Sequence, residues 1–199
     1  MMGLLALLLA YLIGAIPFGY LLVKYSTGRD VREEGSGNIG ATNVLRTTGR
    51  GPAMATLALD IAKGFVAVWL AAMLTEHSEN WMALAALAVM AGHAYPVFLG
   101  FHGGKAVASF LGAFLYLTPE PLLAVLVVFI AMVALTGFIS AGSVMAAVAF
   151  PLGVWIILHP PALVLLAAIV AGGFIVWRHM ENIQRLRAGT EHAFRWKLP

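Results

Sequence analysis

The sequence contains no cysteine and few charged residues. Of its 199 residues, 11% are charged and 61% are hydrophobic, and the mean hydropathy is +0.91. The absence of cysteine excludes a disulfide framework and a thiolate metal site. The scarcity of charge excludes an ordinary soluble domain, in which about 25% of residues are charged. We therefore expect an integral membrane protein.

Asp, Glu, Lys and Arg are absent from two long intervals, residues 1–23 and residues 121–177. A helix needs ~20 apolar residues to cross a bilayer, so the first interval predicts one span, from about Gly3 to Val23. It lacks a basic start and a cleavage site, which favours a retained span over a signal peptide. The second interval is too long for one span, and breaks at residues 137–142 and 159–161 divide it into three.

The other apolar stretches complete a predicted fold of seven transmembrane helices. These three helices run from Pro52 to about Thr75, from Trp81 to about Leu99, and from Ala106 to Thr118. Nearly every Lys and Arg then lies on one side, including Arg195 and Lys197 in the tail, and the positive-inside rule makes that side cytoplasmic. The sequence predicts an all-α, polytopic membrane protein with one domain over residues 1–199, its N-terminus outside and its C-terminus cytoplasmic.

The longest polar interval within the chain, residues 35–46, reads Gly-Ser-Gly-Asn-Ile-Gly-Ala-Thr-Asn-Val-Leu-Arg. Glycines let backbone N–H groups converge on a phosphate, and a helix beginning near Ala41 would aim its N-terminus at the same anion. Arg46 could add a forked charge. The spacing matches neither the Walker nor the dinucleotide motif, and a Gly/Asn-rich loop with a helix cap is the alternative interpretation. The other candidate phosphate contacts are Ser36, Gly37, Asn38, Gly40, Thr42 and Asn43.

Ionisable or amide side chains occur at three other places in the predicted helices and turns. Asp60 and Lys63 are three residues apart and can pair on one helix face, which more often fixes helix packing than binds a ligand. Lys105 follows two glycines and precedes a helix too short to span, so we expect a cation held below the membrane surface. His179 and Asn182 share a face at the end of the last helix.

Three segments together resemble the signatures of the bacterial acyl-phosphate:glycerol-3-phosphate acyltransferases, the PlsY family. They are residues 36–46, residues 92–105 and residues 178–191, in the family's order. The family usually has Gly-Gly-Lys-Gly at the end of the second segment. This chain has Ala106 in place of the last glycine. The resemblance implies catalytic roles for Ser36, Arg46, Lys105 and His179. It implies substrate binding by Gly37, Asn38, Gly40, Thr42, Asn43, His93, Gly103, Gly104 and Asn182.

The activity implied by this resemblance is transfer of a fatty acyl group from acyl phosphate to the 1-hydroxyl of glycerol 3-phosphate, the first acylation of phospholipid synthesis. The products are lysophosphatidic acid and phosphate. The enzyme would lie in the bacterial cytoplasmic (inner) membrane with its active site on the cytoplasmic face. Its partners would be these two substrates and membrane lipid, with no nucleic acid. The alternative function is a transporter or carrier of a phosphorylated lipid precursor, although the sequence shows no internal repeat.

No metal site and no cofactor are predicted, because the carboxylates are scattered along the sequence. The only aspartates are Asp30 and Asp60, and no histidine has the His-x4-Asp partner that soluble glycerolipid acyltransferases use. Since acyl phosphate is already activated, we expect its own phosphate to accept the hydroxyl proton while cations stabilise the developing charge. His179 is the alternative general base.

Overall fold

The structure, a computed structural model, describes residues 1–194, which are helical with no β-strand. The predicted tail charges Arg195 and Lys197 lie outside the described residues. The α-helices of the described part are α1 (Met2–Ala15), α2 (Phe18–Thr27), α3 (Ala41–Thr47), α4 (Arg50–Leu74), α5 (Glu79–Ala94), α6 (Val107–Leu117), α7 (Pro119–Thr136), α8 (Ile139–Leu158), α9 (Ala162–Arg178) and α10 (Met180–Arg187).

Five candidate spans among the described residues are long and apolar enough to cross a membrane. They are α1 with α2, α4, α5 with the turn after it, α7 and α8. A sixth arises if α9 and α10, which meet at a 54° bend, count as one span. Helix α6 is apolar but has 11 residues, fewer than the ~20 that a bilayer requires. The all-helical membrane architecture is confirmed, and the count of seven spans stays a prediction.

The breaks between helices follow proline and glycine. Ile16 is extended because the ring of Pro17 disfavours helical backbone in the preceding residue, so the first predicted span consists of two helices. Gly137 ends α7 with φ +76°, and His159 ends α8 before two prolines. The two breaks predicted within residues 121–177 are therefore confirmed.

The described chain forms two compact units, residues 1–116 and residues 117–194. In the first unit, helices approach each other closely at glycines. A Cβ at Gly14 would overlap the backbone of Val89, and a Cβ at Gly92 would overlap the backbone of Tyr11, so α1 and α5 touch almost backbone to backbone. Small residues at helix contacts are the usual means of association within lipid.

The second unit contains α7 to α10 and uses the same kind of contact. A Cβ at Gly172 of α9 would lie 2.5 Å from the carbonyl oxygen of Ala147 in α8. Buried Phe150 and Ile175 add apolar packing. The backbone N–H of Phe194 donates to the carbonyl of Gly137 at 2.7 Å, which returns the last described residue to the end of α7.

Candidate active site

The polar loop before α3 begins with a local ion pair. The Asp30 carboxylate accepts from the backbone N–H of Arg32 at 2.9 Å, and the Arg32 guanidinium lies 2.6 Å from the same carboxylate. These hydrogen bonds from Arg32 hold the pKa of the Asp30 carboxyl below its ordinary value. After a 3₁₀ turn, Gly35 and Gly37 have φ of +59° and +69°, where glycine carries no Cβ penalty.

Asn43 is the side chain around which this loop is built. It is 2% exposed, and its Nδ2 donates to the carbonyls of Val31, Glu34 and Asn38 at 3.2, 3.1 and 2.9 Å. Its Oδ1 accepts from the backbone N–H of Ser36 at 2.9 Å. Since one amide satisfies four backbone groups, Asn43 holds the loop in shape, and its predicted contact with a substrate stays a prediction.

The other residues of this segment that were predicted to contact an anion lie around Asn43. Ser36 and Arg46 are exposed, and Asn38 and Thr42 are half-buried. Asn38 Oδ1 accepts from the backbone N–H of Gly40 at 2.8 Å, directly before α3 begins at Ala41 as expected. Because these side chains are not buried, the loop and the start of α3 present hydroxyl, amide and cationic groups on their accessible side.

The second segment lies at the end of α5. The backbone N–H groups of Gly103 and Gly104 donate to the carbonyls of Ala94 and His93, each at 3.1 Å, and so satisfy carbonyls at the end of the helix. A Cβ at Gly104 would overlap Nε2 of His93, which explains why the position needs glycine. Lys105, the next residue, is half-buried.

Ala106 carries the departure of this chain from the family pattern. Its φ is +61° and it is fully buried. A residue with a Cβ pays about 1–2 kcal/mol in this left-handed region, which glycine occupies freely. The turn therefore keeps a glycine-like backbone at an alanine, directly after Lys105.

His179 lies at the bend between α9 and α10 and is 4% exposed. Its Nδ1 is 2.7 Å from the carbonyl oxygen of Ile175. A carbonyl can only accept, so Nδ1 must carry the proton, and in the neutral ring Nε2 is the acceptor nitrogen. Any proton transfer by His179 would consequently involve Nε2.

Glu191 is the residue that organises the third segment. Its Oε1 accepts from Asn182 Nδ2 at 2.7 Å and from Ser140 Oγ at 2.9 Å, and its Oε2 accepts from Arg185 Nε at 2.8 Å. The side chain is 3% exposed. Burial acts to raise the pKa of the Glu191 carboxyl, but the hydrogen bonds from Asn182, Arg185 and Ser140 outweigh it and lower the pKa below 4.5.

Sequence reasoning found the ion pair of α4 but gave no role to Glu191 or to its partner Ser140. Lys63 Nζ lies 2.8 Å from Asp60 Oδ1, which confirms the pair. Glu191 received no role because one of its partners, Ser140, is remote in sequence, although its place after Arg185 and Gly189 was a signal. The structure brings Ser36, Asn38 and Asn43 into one loop, and it places Gly103 and Gly104 against His93.

Fold and site together define a helical membrane protein with polar segments rich in glycine, amides and cations. The model of the family described as glycerol-3-phosphate acyltransferase matches residues 4–189. The chain belongs to this acyltransferase family, which confirms the resemblance inferred from the three segments. A transporter is not favoured by these comparisons.

Relatives and solved structures agree with this family. A glycerol-3-phosphate acyltransferase of Geobacter sulfurreducens is 49% identical over 186 residues, 94% of each chain. One of Desulforamulus reducens is 46% identical, covering 92% of this chain and 90% of the relative. The crystal structure of PlsY (YgiH), an integral membrane glycerol 3-phosphate acyltransferase in its glycerol 3-phosphate form, superposes with TM-score 0.91 at 37% identity, covering 97% of this chain and 96% of that one. Its lysophosphatidic acid form gives TM-score 0.88 at 36% identity, covering 98% and 96%.

Proposed function

We propose that the protein transfers a fatty acyl group from acyl phosphate to the 1-hydroxyl of glycerol 3-phosphate, releasing lysophosphatidic acid and phosphate. The observation that carries this proposal is the family match over residues 4–189, which includes the first two polar segments and residues 178–189 of the third. The similarity to structures in a glycerol 3-phosphate form and a lysophosphatidic acid form supports the acceptor and the product. Acyl phosphate is the donor that the resemblance to the PlsY family implies, and its acyl group is already activated, so it requires no nucleophile from the enzyme.

The two phosphate-bearing substrates are assigned to different residues. Glycerol 3-phosphate is bound by Ser36, Arg46, Lys105, His179 and Asn182. The phosphate of the donor is held by the backbone of Gly37 and Gly40 with Asn38 and Thr42, in a loop whose shape Asn43 maintains, and its acyl chain lies between helices. His93, Gly103 and Gly104 belong to the acceptor group because they shape the turn that carries Lys105. Exposed Ser36 and Arg46 and half-buried Lys105 support this division.

The donor's own phosphate accepts the proton of the attacking hydroxyl. An oxygen of the leaving phosphate is close to the reacting carbonyl by construction, and cations can stabilise the charge that develops there. His179 is the competing base, through Nε2. A binding role predicts that His179→Asn chiefly raises the acceptor KM, whereas loss of a general base lowers kcat by about 10²–10⁴-fold at saturating acceptor. Collapse of kcat with unchanged KM and rescue by imidazole would assign the base to His179.

The chain forms one membrane-embedded domain with seven spans, the N-terminus outside and the C-terminus cytoplasmic, in the bacterial inner membrane. Short α6 supplies the seventh span, with the Lys105 turn below the surface. Single cysteines at Ser36, His102 and Arg187 should be protected from an impermeant thiol reagent in intact cells, and a cysteine at Ser78 should react. Labelling at Arg187 without labelling at Ser78 would show that the helix count is wrong by one.

The experiment for the activity uses purified full-length protein with acyl phosphate and measures phosphate release with and without glycerol 3-phosphate. Release that depends on glycerol 3-phosphate, with lysophosphatidic acid as the second product, is the expected result. A carrier would bind one substrate without coupled release. Glycerol without the phosphate is the control acceptor, and equal rates with both acceptors would contradict an acceptor site built around Arg46 and Lys105.

A further inference from the structure

A buried ion pair lies in α4, a helix that carries none of the residues assigned to the substrates. Asp60 and Lys63 are 2% and 4% exposed, and their charged groups are 2.8 Å apart. Charges inside a membrane-spanning helix are costly and are most often retained for a function. Packing alone does not require them, because well-packed apolar residues often replace a buried ion pair without loss of stability.

Lys63 also binds the break between α1 and α2. Its Nζ donates to the carbonyl of Ile16 at 2.8 Å and lies 5.6 Å from the centre of the Phe18 ring. Pro17 follows Ile16 and has no N–H, and the Ile16 carbonyl also accepts from the backbone N–H of Phe18 at 3.2 Å, so Lys63 is a second donor to this break. The ammonium group of Lys63 thus connects α4 to the break while neutralising Asp60.

Asp60 faces the end of α5. Its Oδ1 lies 3.7 Å from Nδ1 of His93, and the same Nδ1 is 3.1 Å from Oγ of Ser109 in α6. His93 is 4% exposed and Ser109 is fully buried. One edge of the imidazole is therefore enclosed by an aspartate of α4 and a serine of α6, which together limit the orientation of the ring.

The opposite edge of the imidazole contacts the turn that precedes α6. Nε2 of His93 occupies the space that a Cβ at Gly104 would need, and the His93 carbonyl accepts from the Gly104 N–H at 3.1 Å. Lys105 follows directly. A rotation of the His93 ring would press on Gly104 and displace the backbone from which the Lys105 side chain extends.

We propose that the buried Asp60–Lys63 pair is a positioning device, which acts through His93 to set the Gly103-Gly104-Lys105 turn for glycerol 3-phosphate. The inference rests on the proposed function, since it assigns Lys105 to the acceptor. It makes Asp60, Lys63 and Ser109 positioning residues that do not touch the substrate. Its distinguishing consequence is a change in the acceptor KM with little change in the donor KM.

The main test removes both charges together with the double variant Asp60→Leu/Lys63→Met, so that no unpaired charge stays buried. We expect a thermal unfolding midpoint in detergent close to that of the wild type. The acceptor KM should rise by about tenfold or more, because small displacements of binding groups are expensive, while the donor KM should change by less than about twofold. A folded variant with both KM values at wild-type level would overturn the proposal.

A charge swap, Asp60→Lys/Lys63→Asp, separates positioning from charge balance. It keeps an i,i+3 pair on α4 but removes the carboxylate from His93 and the ammonium from Ile16. We expect the swapped protein to be as defective toward glycerol 3-phosphate as the apolar double variant. Recovery of the wild-type acceptor KM would show that the pair only balances charge and would refute the inference.

Ser109→Ala is the milder variant and decides the matter if either double variant fails to fold. It should raise the acceptor KM by about two- to tenfold, the equivalent of one hydrogen bond. Thr56→Val is the matched control, because Thr56 is equally buried and its hydroxyl donates to the Pro52 carbonyl of its own helix. An unchanged acceptor KM in Ser109→Ala refutes the network. Wild-type protein without acceptor-dependent phosphate release refutes the proposed function instead.

Discussion

The loop before α3 and the segment after α10 are each organised by one polar side chain, but by different chemistry. Asn43 is neutral and binds backbone groups of its own loop. Glu191 is ionised and binds side chains, including Asn182, which is assigned to the substrate, and Ser140 of α8. The contacts of the neutral Asn43 amide do not titrate, and they leave the outer side chains of the loop for binding. In the segment after α10, by contrast, the position of Asn182 depends on a hydrogen bond to the charged Glu191 carboxylate.

The largest effect is expected from Asn43→Asp, which replaces the neutral amide of Asn43 with a charged carboxylate. One oxygen of the new carboxylate would face the carbonyls of Val31, Glu34 and Asn38, and only the other would keep its donor, the Ser36 N–H. A buried charge without a countercharge costs about 3–5 kcal/mol, so the free energy of unfolding should fall by that amount and activity should be lost. Asn38→Asp is the control in thermal unfolding, since the Asn38 side chain acts as acceptor for Gly40 and aspartate keeps that role. Equal stability of the two variants would contradict the role of Asn43.

Arg46→Lys tests whether substrate binding by the loop before α3 can be weakened without loss of protein stability. Lysine retains the charge but cannot grip a phosphate with two parallel hydrogen bonds. We expect kcat/KM for glycerol 3-phosphate to fall by about 10–100-fold with an unchanged unfolding midpoint. Arg29→Lys is the matched control, because Arg29 is exposed and pairs with Glu34 at the surface. Near wild-type kinetics of Arg46→Lys would leave Arg46 only a topological role.

Glu191→Gln tests the charged residue. Its pKa is lowered in the folded protein, so its contribution to stability is present above pH 4.5, the ordinary value, and is lost as the pH falls through the lowered folded value. At neutral pH, the variant should lose about 1.5–3 kcal/mol of unfolding free energy. The difference from the wild type should shrink as the pH falls below 4.5. Glu181→Gln is the control, since that side chain is 87% exposed; a constant difference across pH would contradict the assignment.

The contrast between these regions also explains what the sequence could predict. Local signals were sufficient for the helix beginning at Ala41, for the short helix before Pro119 and for the Asp60–Lys63 pair, because each depends on neighbours in the chain. The contact of Glu191 with Ser140 joins the segment after α10 to α8, the contact of Asp60 with His93 joins α4 to α5, and no pattern of spacing encodes either. Pro17 was a local signal for the break between α1 and α2. Residues 1–23 were nevertheless predicted as one span, because the interval contains no charged residue.

The smallest effect concerns the turn after Lys105, where Ala106→Gly should stabilise the protein. Glycine removes the left-handed strain at φ +61°, about 1–2 kcal/mol. The more flexible unfolded chain costs about 0.4–1 kcal/mol of this, which leaves a net gain of about 0–1.6 kcal/mol. Ala113→Gly is the matched control, because Ala113 is equally buried but lies within α6, where glycine should cost about 1 kcal/mol. Thermal unfolding in detergent should therefore shift in opposite directions for the two variants. A shift in the same direction would mean that Ala106 is not held in the left-handed conformation, and that the turn before α6 differs from the family's glycine turn.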